Sequence, residues 1–125
     1  MHKTILMAAV WAGLMPVAAM AAPAGDIPPA FHGDWSGRVE ACGKADDDSR
    51  THVAAHDIGY YEDGDEVLGV TVVDAHHIVV DVNSGNDGRT SRLTRHLTLS
   101  PDGRRLTITG GVKPFTVVRC PAAGH

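Results

Sequence analysis

"DAHHIVVDVNSGNDGRTSRLTRHLTLSPDGRRLTI", residues 74–108, decides the fold. Its apolar residues recur at every second position, and no stripe at helical period runs through it. Strands are predicted over 77–83, 90–99 and 104–109. Two tight turns separate them. "NSGNDG" carries Asp87-Gly88, and "SPDGR" carries Pro101-Asp102-Gly103, which are residue types that lower the cost of reversing the chain. Strand, short turn, strand is the grammar of an antiparallel meander.

The same grammar extends in both directions. Further strands are predicted near 35–42, 51–55, 57–62, 66–73 and 114–120, with Asp63-Gly64 and Gly110-Gly111 at the breaks. Residues 43–56, "GKADDDSRTHVAAH", read as a loop and a strand, or a short helical turn. About eight short strands in sequence suit an all-β, up-and-down barrel, because closure removes exposed sheet edges. Two cysteines, Cys42 and Cys120, end the first and last predicted strands. A single pair at this separation reads as one disulfide that locks the closure, worth on the order of 4 kcal/mol in the chain-entropy model. A redox or metal pair is the weaker alternative, since there is no C-x-x-C spacing and no third thiol.

The chain begins "MHKTILMAAVWAGLMPVAAMAAPAGD". Lys3, an apolar stretch from Ile5 to Val17 and Ala19-Met20-Ala21 form the pattern of a secretory signal peptide over residues 1–21. The apolar stretch is short for a bilayer span and carries Pro16, so a membrane anchor is the weaker reading. The mature chain is expected in the periplasm or outside the cell, without a membrane span. Residues 22–30, "APAGDIPPA", are expected to be an extended, loosely held lead-in. Residues 31–125 are then one small domain.

Loss of Lys3 takes the formal net charge from −4 to near −5, which argues against nucleic acid as a partner. Charge is unevenly placed. Fourteen acidic and three basic residues fall between Asp26 and Asp87, whereas seven basic and one acidic residue follow Gly88. Pairing of the two halves on solvated strand faces accounts for this most simply. A sharper reading sets an acidic patch from "DDD" and "EDGDE" against Arg89, Arg92, Arg95, Arg104 and Arg105.

His76-His77 raises the question of a metal site. Neighbours on a strand point to opposite faces, so His77, Val79 and Asp81 share one face, and His76, Ile78, Val80 and Val82 the other. Adjacent histidines therefore do not grip one ion, and His77 and Asp81 are separated by about 13 Å along a strand. Histidines of different strands, such as His52, His77 and His96, remain the one open route. The expectation is a structural pair, with no metal and no cofactor. No H-E-x-x-H, G-x-S-x-G, Walker or dinucleotide motif occurs, and no enzymatic activity is expected.

"IPPAFHGDWSG" at 27–37, Cys42, "IGYYE" at 58–62, "GRTSRLTRHLTLSPDGRRLTI" at 88–108 and "PFTVVRC" at 114–120 carry a resemblance. They resemble a group of small, uncharacterised periplasmic proteins of Gram-negative bacteria that share an F-H-G-x-W start and a terminal Arg-Cys. The likeness spans most of the mature chain and implies no activity. A fainter similarity is to periplasmic inhibitors of c-type lysozymes, small disulfide-bonded barrels whose Ser-Gly loop enters the enzyme cleft. Ser84-Gly85 is the matching pair. The tyrosine that follows in that family is replaced here by Asn86-Asp87-Gly88. Two roles are thus expected. The first is a non-catalytic module that binds or inhibits a periplasmic protein such as a lysozyme, through Ser84, Gly85 and Asn86. The second is a carrier of a small ligand or metal.

Overall fold

The computed structural model describes residues 25–111 and 113–122; the signal-peptide reading of residues 1–21 lies outside them. Eight strands run in chain order: β1 (Gly33–Ser36), β2 (Thr51–Val53), β3 (Asp57–Gly59), β4 (Gly64–Asp74), β5 (His77–Asn86), β6 (Arg89–Leu99), β7 (Arg105–Thr109) and β8 (Phe115–Arg119). Each pairs antiparallel with the next, and β1 pairs with β8, so the sheet closes into a barrel. Cys42 and Cys120 are bridged.

The alternation in residues 74–108 sets which side chains enter the barrel. Ile78, Val80 and Val82 of β5 are fully buried, as are Leu97 of β6 and Leu106 and Ile108 of β7. They join Ile27, Phe31, Trp35, Val53, Ile58, Val70, Leu99 and Val117 in one core that fills the lumen. A barrel of this strand number has an interior just wide enough for side chains to fill.

The Asp87-Gly88 turn is tighter than the polar loop expected at 83–88. Asn86 pairs directly with Arg89, and only Asp87 (φ 51°) and Gly88 (φ 75°) form the reversal. Left-handed backbone at both turn positions matches the twist of the flanking strands. Asn83 to Asn86 are consequently strand residues of β5.

Two other expectations shift, and a third is narrowed to one of its alternatives. The first strand stops at Ser36 rather than reaching Cys42, because the Ser36 hydroxyl donates to Asp47 and the Gly37 N–H donates to Ser49 Oγ. The chain then makes a 3-10 turn at Val39–Ala41 before Cys42. The segment 43–56 resolves into loop followed by β2 and the turn to β3. The lead-in is not loosely held from Asp26 onward. Ile27 is buried, its N–H donates to Ala55 O, and Pro29–Phe31 forms a 3-10 turn that sets Phe31 in the core.

One end of the barrel is shut by that lead-in together with Arg119. The Arg119 guanidinium stacks 4.2 Å from the Trp35 ring. It donates to His32 O, Ala30 O and Gly103 O, at 2.8, 2.8 and 3.1 Å. Phe31, Trp35, Arg119 and Cys120, which carry much of the F-H-G-x-W and Arg-Cys pattern, are thus parts of one plug.

Candidate functional site

The opposite end is a mouth rimmed by the β3–β4, β5–β6 and β7–β8 hairpins. Here the interior face turns polar. Continuing the inward series Ile78, Val80, Val82 along β5 brings Ser84 inside, directly across from Asp65 of β4. On β6 the series Leu99, Leu97 continues to Arg95. Asp65 is 2% exposed and Arg95 8%. Two charges this deep require one another, since an unpaired buried charge costs several kcal/mol.

The pair is bidentate. Arg95 Nε donates to Asp65 Oδ2 at 3.0 Å and Nη2 donates to Oδ1 at 3.2 Å. The Tyr60 hydroxyl donates to Asp65 Oδ2 at 2.6 Å, and Arg95 Nη2 also reaches Ser84 Oγ at 3.3 Å. Burial pushes the Tyr60 phenol well above its ordinary range, and the hydrogen bond to the Asp65 carboxylate pushes it further. Burial opposes the charge on Arg95. The Asp65 hydrogen bonds and the charge interactions with Tyr60 and Asp65 together outweigh that, and the guanidinium stays above its usual value. Tyr60 stays a donor, Arg95 stays a cation, and both Asp65 oxygens are occupied. The network therefore acts as a strut across the floor of the mouth.

Above this strut lies an open cleft of roughly 940 Å³, bordered by Tyr60, Ser84, Asn86, Arg89, Lys113 and Phe115. Tyr60 and Phe115 meet edge to face at 6.1 Å. The neighbouring chain must pass close. A Cβ at Gly110 would sit 2.0 Å from Thr94 O, and one at Gly111 would sit 2.7 Å from Arg95 Nη1. Glycines there let the β7–β8 connection lie against the buried arginine.

Of the residues expected to bind, Ser84 and Asn86 border this cleft, and Gly85 does not. Ser84 is half-buried and hydrogen-bonded to Arg95, so it is part of the floor rather than a projecting tip. Tyr60 was not singled out in the sequence as a site residue, and Asp65 and Arg95 entered only as members of an acidic cluster and a basic patch set against each other. A signal was present in "LTRHLTL": Arg95 shares parity with Leu93, Leu97 and Leu99. A charge on an apolar strand face demands a buried partner.

The acidic clusters divide. Asp47 is buried in the 43–50 loop, where it accepts from Ser36 and Ser49, while Asp46 and Asp48 are exposed. Asp63 reaches the rim of the mouth and Asp65 its floor. The histidines scatter. His52 on β2 lies 2.7 Å from Asp34, and His56 lies 3.1 Å from Asp26. His76, which alternation would place beside Ile78, is instead exposed in the β4–β5 turn, where its N–H donates to Asp74 Oδ1. His77 faces outward toward His96.

Among the described residues no helix is long and apolar enough to cross a membrane. No protein-family model, curated protein or solved structure matches the chain at a significant level.

Proposed function

We propose that the chain is an exported, non-catalytic binding protein that engages another periplasmic protein through the open mouth of the barrel. One observation carries this reading: the mouth joins a buried, hydrogen-bonded floor of Asp65, Arg95, Tyr60 and Ser84 to a rim of exposed polar groups and Phe115. Binding surfaces gain from side chains held in this way, because less side-chain freedom is lost on association. The cleft mixes an aromatic pair, two cations (Arg89 and Lys113) and two carboxylates (Asp63 and Asp87). Tyrosine and arginine are the residue types that most often anchor protein interfaces. A lysozyme is the partner suggested by the Ser84-Gly85 likeness, with Ser84 and Asn86 in the contact. The exposed carboxylates would speed encounter with such a cationic enzyme.

The carrier reading has less support. The lumen is filled by side chains from Phe31 and Trp35 upward, which leaves the open clefts, rather than an enclosed cavity, for a small molecule.

The test is capture by the mature protein from periplasmic extract, alongside inhibition assays on c-type, g-type and i-type lysozymes. Native mass spectrometry of the purified protein runs in parallel. A protein partner lost in Asn86→Ala with Arg89→Ala supports the reading. A co-purifying small molecule with no protein partner overturns it.

A further inference from the structure

We propose that His77 and His96 form a two-ligand surface site for a nitrogen-preferring divalent metal, copper(II) above zinc(II). The site lies on the outer wall of the barrel, on strands β5 and β6, and does not rest on the binding role of the mouth. Register places Val79 opposite His96 and His77 opposite Thr98, so the two imidazoles are diagonal neighbours on one face. Their nearest nitrogens, His77 Nε2 and His96 Nδ1, are 3.0 Å apart. The rings lie 5.2 Å apart with a 33° tilt.

That spacing fits chelation. Two imidazole nitrogens at the usual bond length of about 2.0–2.1 Å span about 2.9 Å at a right angle and about 3.4 Å at the tetrahedral angle. The observed separation falls within this window before any side chain moves. A neutral pair hydrogen-bonded at this distance shares one hydrogen between the two nitrogens. Moving that hydrogen to the far nitrogen of its own ring leaves a lone pair on each, so the metal needs one tautomer change and expels no proton from a neutral pair. A rigid antiparallel pair holds both Cβ positions, which limits the ordering cost of binding.

The donor set selects the ion. Neutral imidazole suits copper and zinc over magnesium and calcium, and copper(II) heads the affinity order for such sites. Among the described residues no third histidine, cysteine or carboxylate completes a cluster. Water must fill the remaining positions, so the site is open and exchangeable and does not stabilise the fold as a structural zinc does.

The experiment is titration of the untagged mature protein with CuSO4, followed by calorimetry and electron paramagnetic resonance. The expected result is one copper per chain with two nitrogen ligands in the equatorial plane. Binding should be lost in His77→Ala and in His96→Ala and kept in His52→Ala and His76→Ala. All four positions are outward-facing or in a turn, and circular dichroism checks folding. Nuclear magnetic resonance of the unmutated protein gives an independent readout, in which substoichiometric copper broadens residues around 77 and 96 first. Unchanged binding in His77→Ala and His96→Ala, broadening centred elsewhere, or no binding at equimolar copper would each overturn the proposal.

Discussion

The two ends of the barrel are each organised around one arginine, and they use it differently. At the shut end Arg119 lies flat on Trp35 and gives Nε, Nη1 and Nη2 to three backbone carbonyls. Among the described residues its charge has no acidic partner; dispersed carbonyl dipoles and an aromatic face hold it. At the open end Arg95 is deeper and is matched to a single buried carboxylate. The first arrangement ties distant segments of chain together. The second fixes the floor of a cleft and leaves the rim open. An arginine in a small barrel is therefore informative only once its acceptor is known.

The largest effect should come from breaking the pair at the open end. Arg95→Met leaves Asp65 charged and buried, and should cost about 3–5 kcal/mol in urea unfolding. Adding Asp65→Leu should recover much of that loss, because two apolar groups replace two charges. If Arg95→Met alone behaves like a surface substitution, the strut is misassigned.

Reducing the Cys42–Cys120 bridge, whose cysteines are 78 residues apart, should cost about 2–4 kcal/mol. Because β1 meets β8 beside it, amide exchange should rise first in those two strands. Uniform acceleration across all strands would mean that the bridge acts only on the unfolded chain.

Arg119→Lys keeps the charge and loses the planar fork, and should cost about 1–3 kcal/mol for the charge-assisted bonds to carbonyls. The loss should appear as exchange and proteolysis near residues 25–32, with the mouth unaffected. Equal loosening at both ends would break the distinction drawn between the two arginines.

The smallest effect is local and depends on acid. Burial raises the Asp47 carboxyl, but the hydroxyls of Ser49 and Ser36, the Ser49 N–H and Arg38 outweigh it, and its pKa lies below the ordinary value. A carboxyl lowered in the folded state stabilises it above the unfolded value. That contribution fades as pH falls through the lowered one. The 43–50 loop should therefore exchange faster below the usual carboxylate range, and Asp47→Asn should flatten that dependence. A loop equally protected in acid would contradict the assignment.

The meander, the eight strands and the disulfide were legible because alternation and turn chemistry are local signals. Asp87-Gly88 and Pro101-Asp102-Gly103 announce their reversals within a few residues. The plug was not legible. Ile27 looks like a stray apolar residue in a proline-rich lead-in until Ala55 is brought beside it. The candidate site was half legible. Ser84 and Asn86 were found, but as a loop, although Asp87-Gly88 is the local signal for a two-residue turn that keeps β5 and β6 paired to Asn86 and Arg89. Asp65 and Arg95 meet across 30 residues of chain; the parity of Arg95 and the opposed charge clusters hinted at a partner but did not single out this pair. His77 and His96 were visible as candidates, and register alone decided that they touch while His52 stands apart.

The central claim is that the open end, and not the plugged one, meets a protein partner. Site-specific photocrosslinking tests it directly, with a photoreactive residue placed at Asn86 on the mouth or at Asp102 in the β6–β7 turn. Incubated with periplasmic extract, or with any lysozyme found to be inhibited in the assays above, the Asn86 variant should yield a discrete protein adduct and the Asp102 variant none. Adducts from Asp102 alone, or equal yields from both ends, would contradict the account.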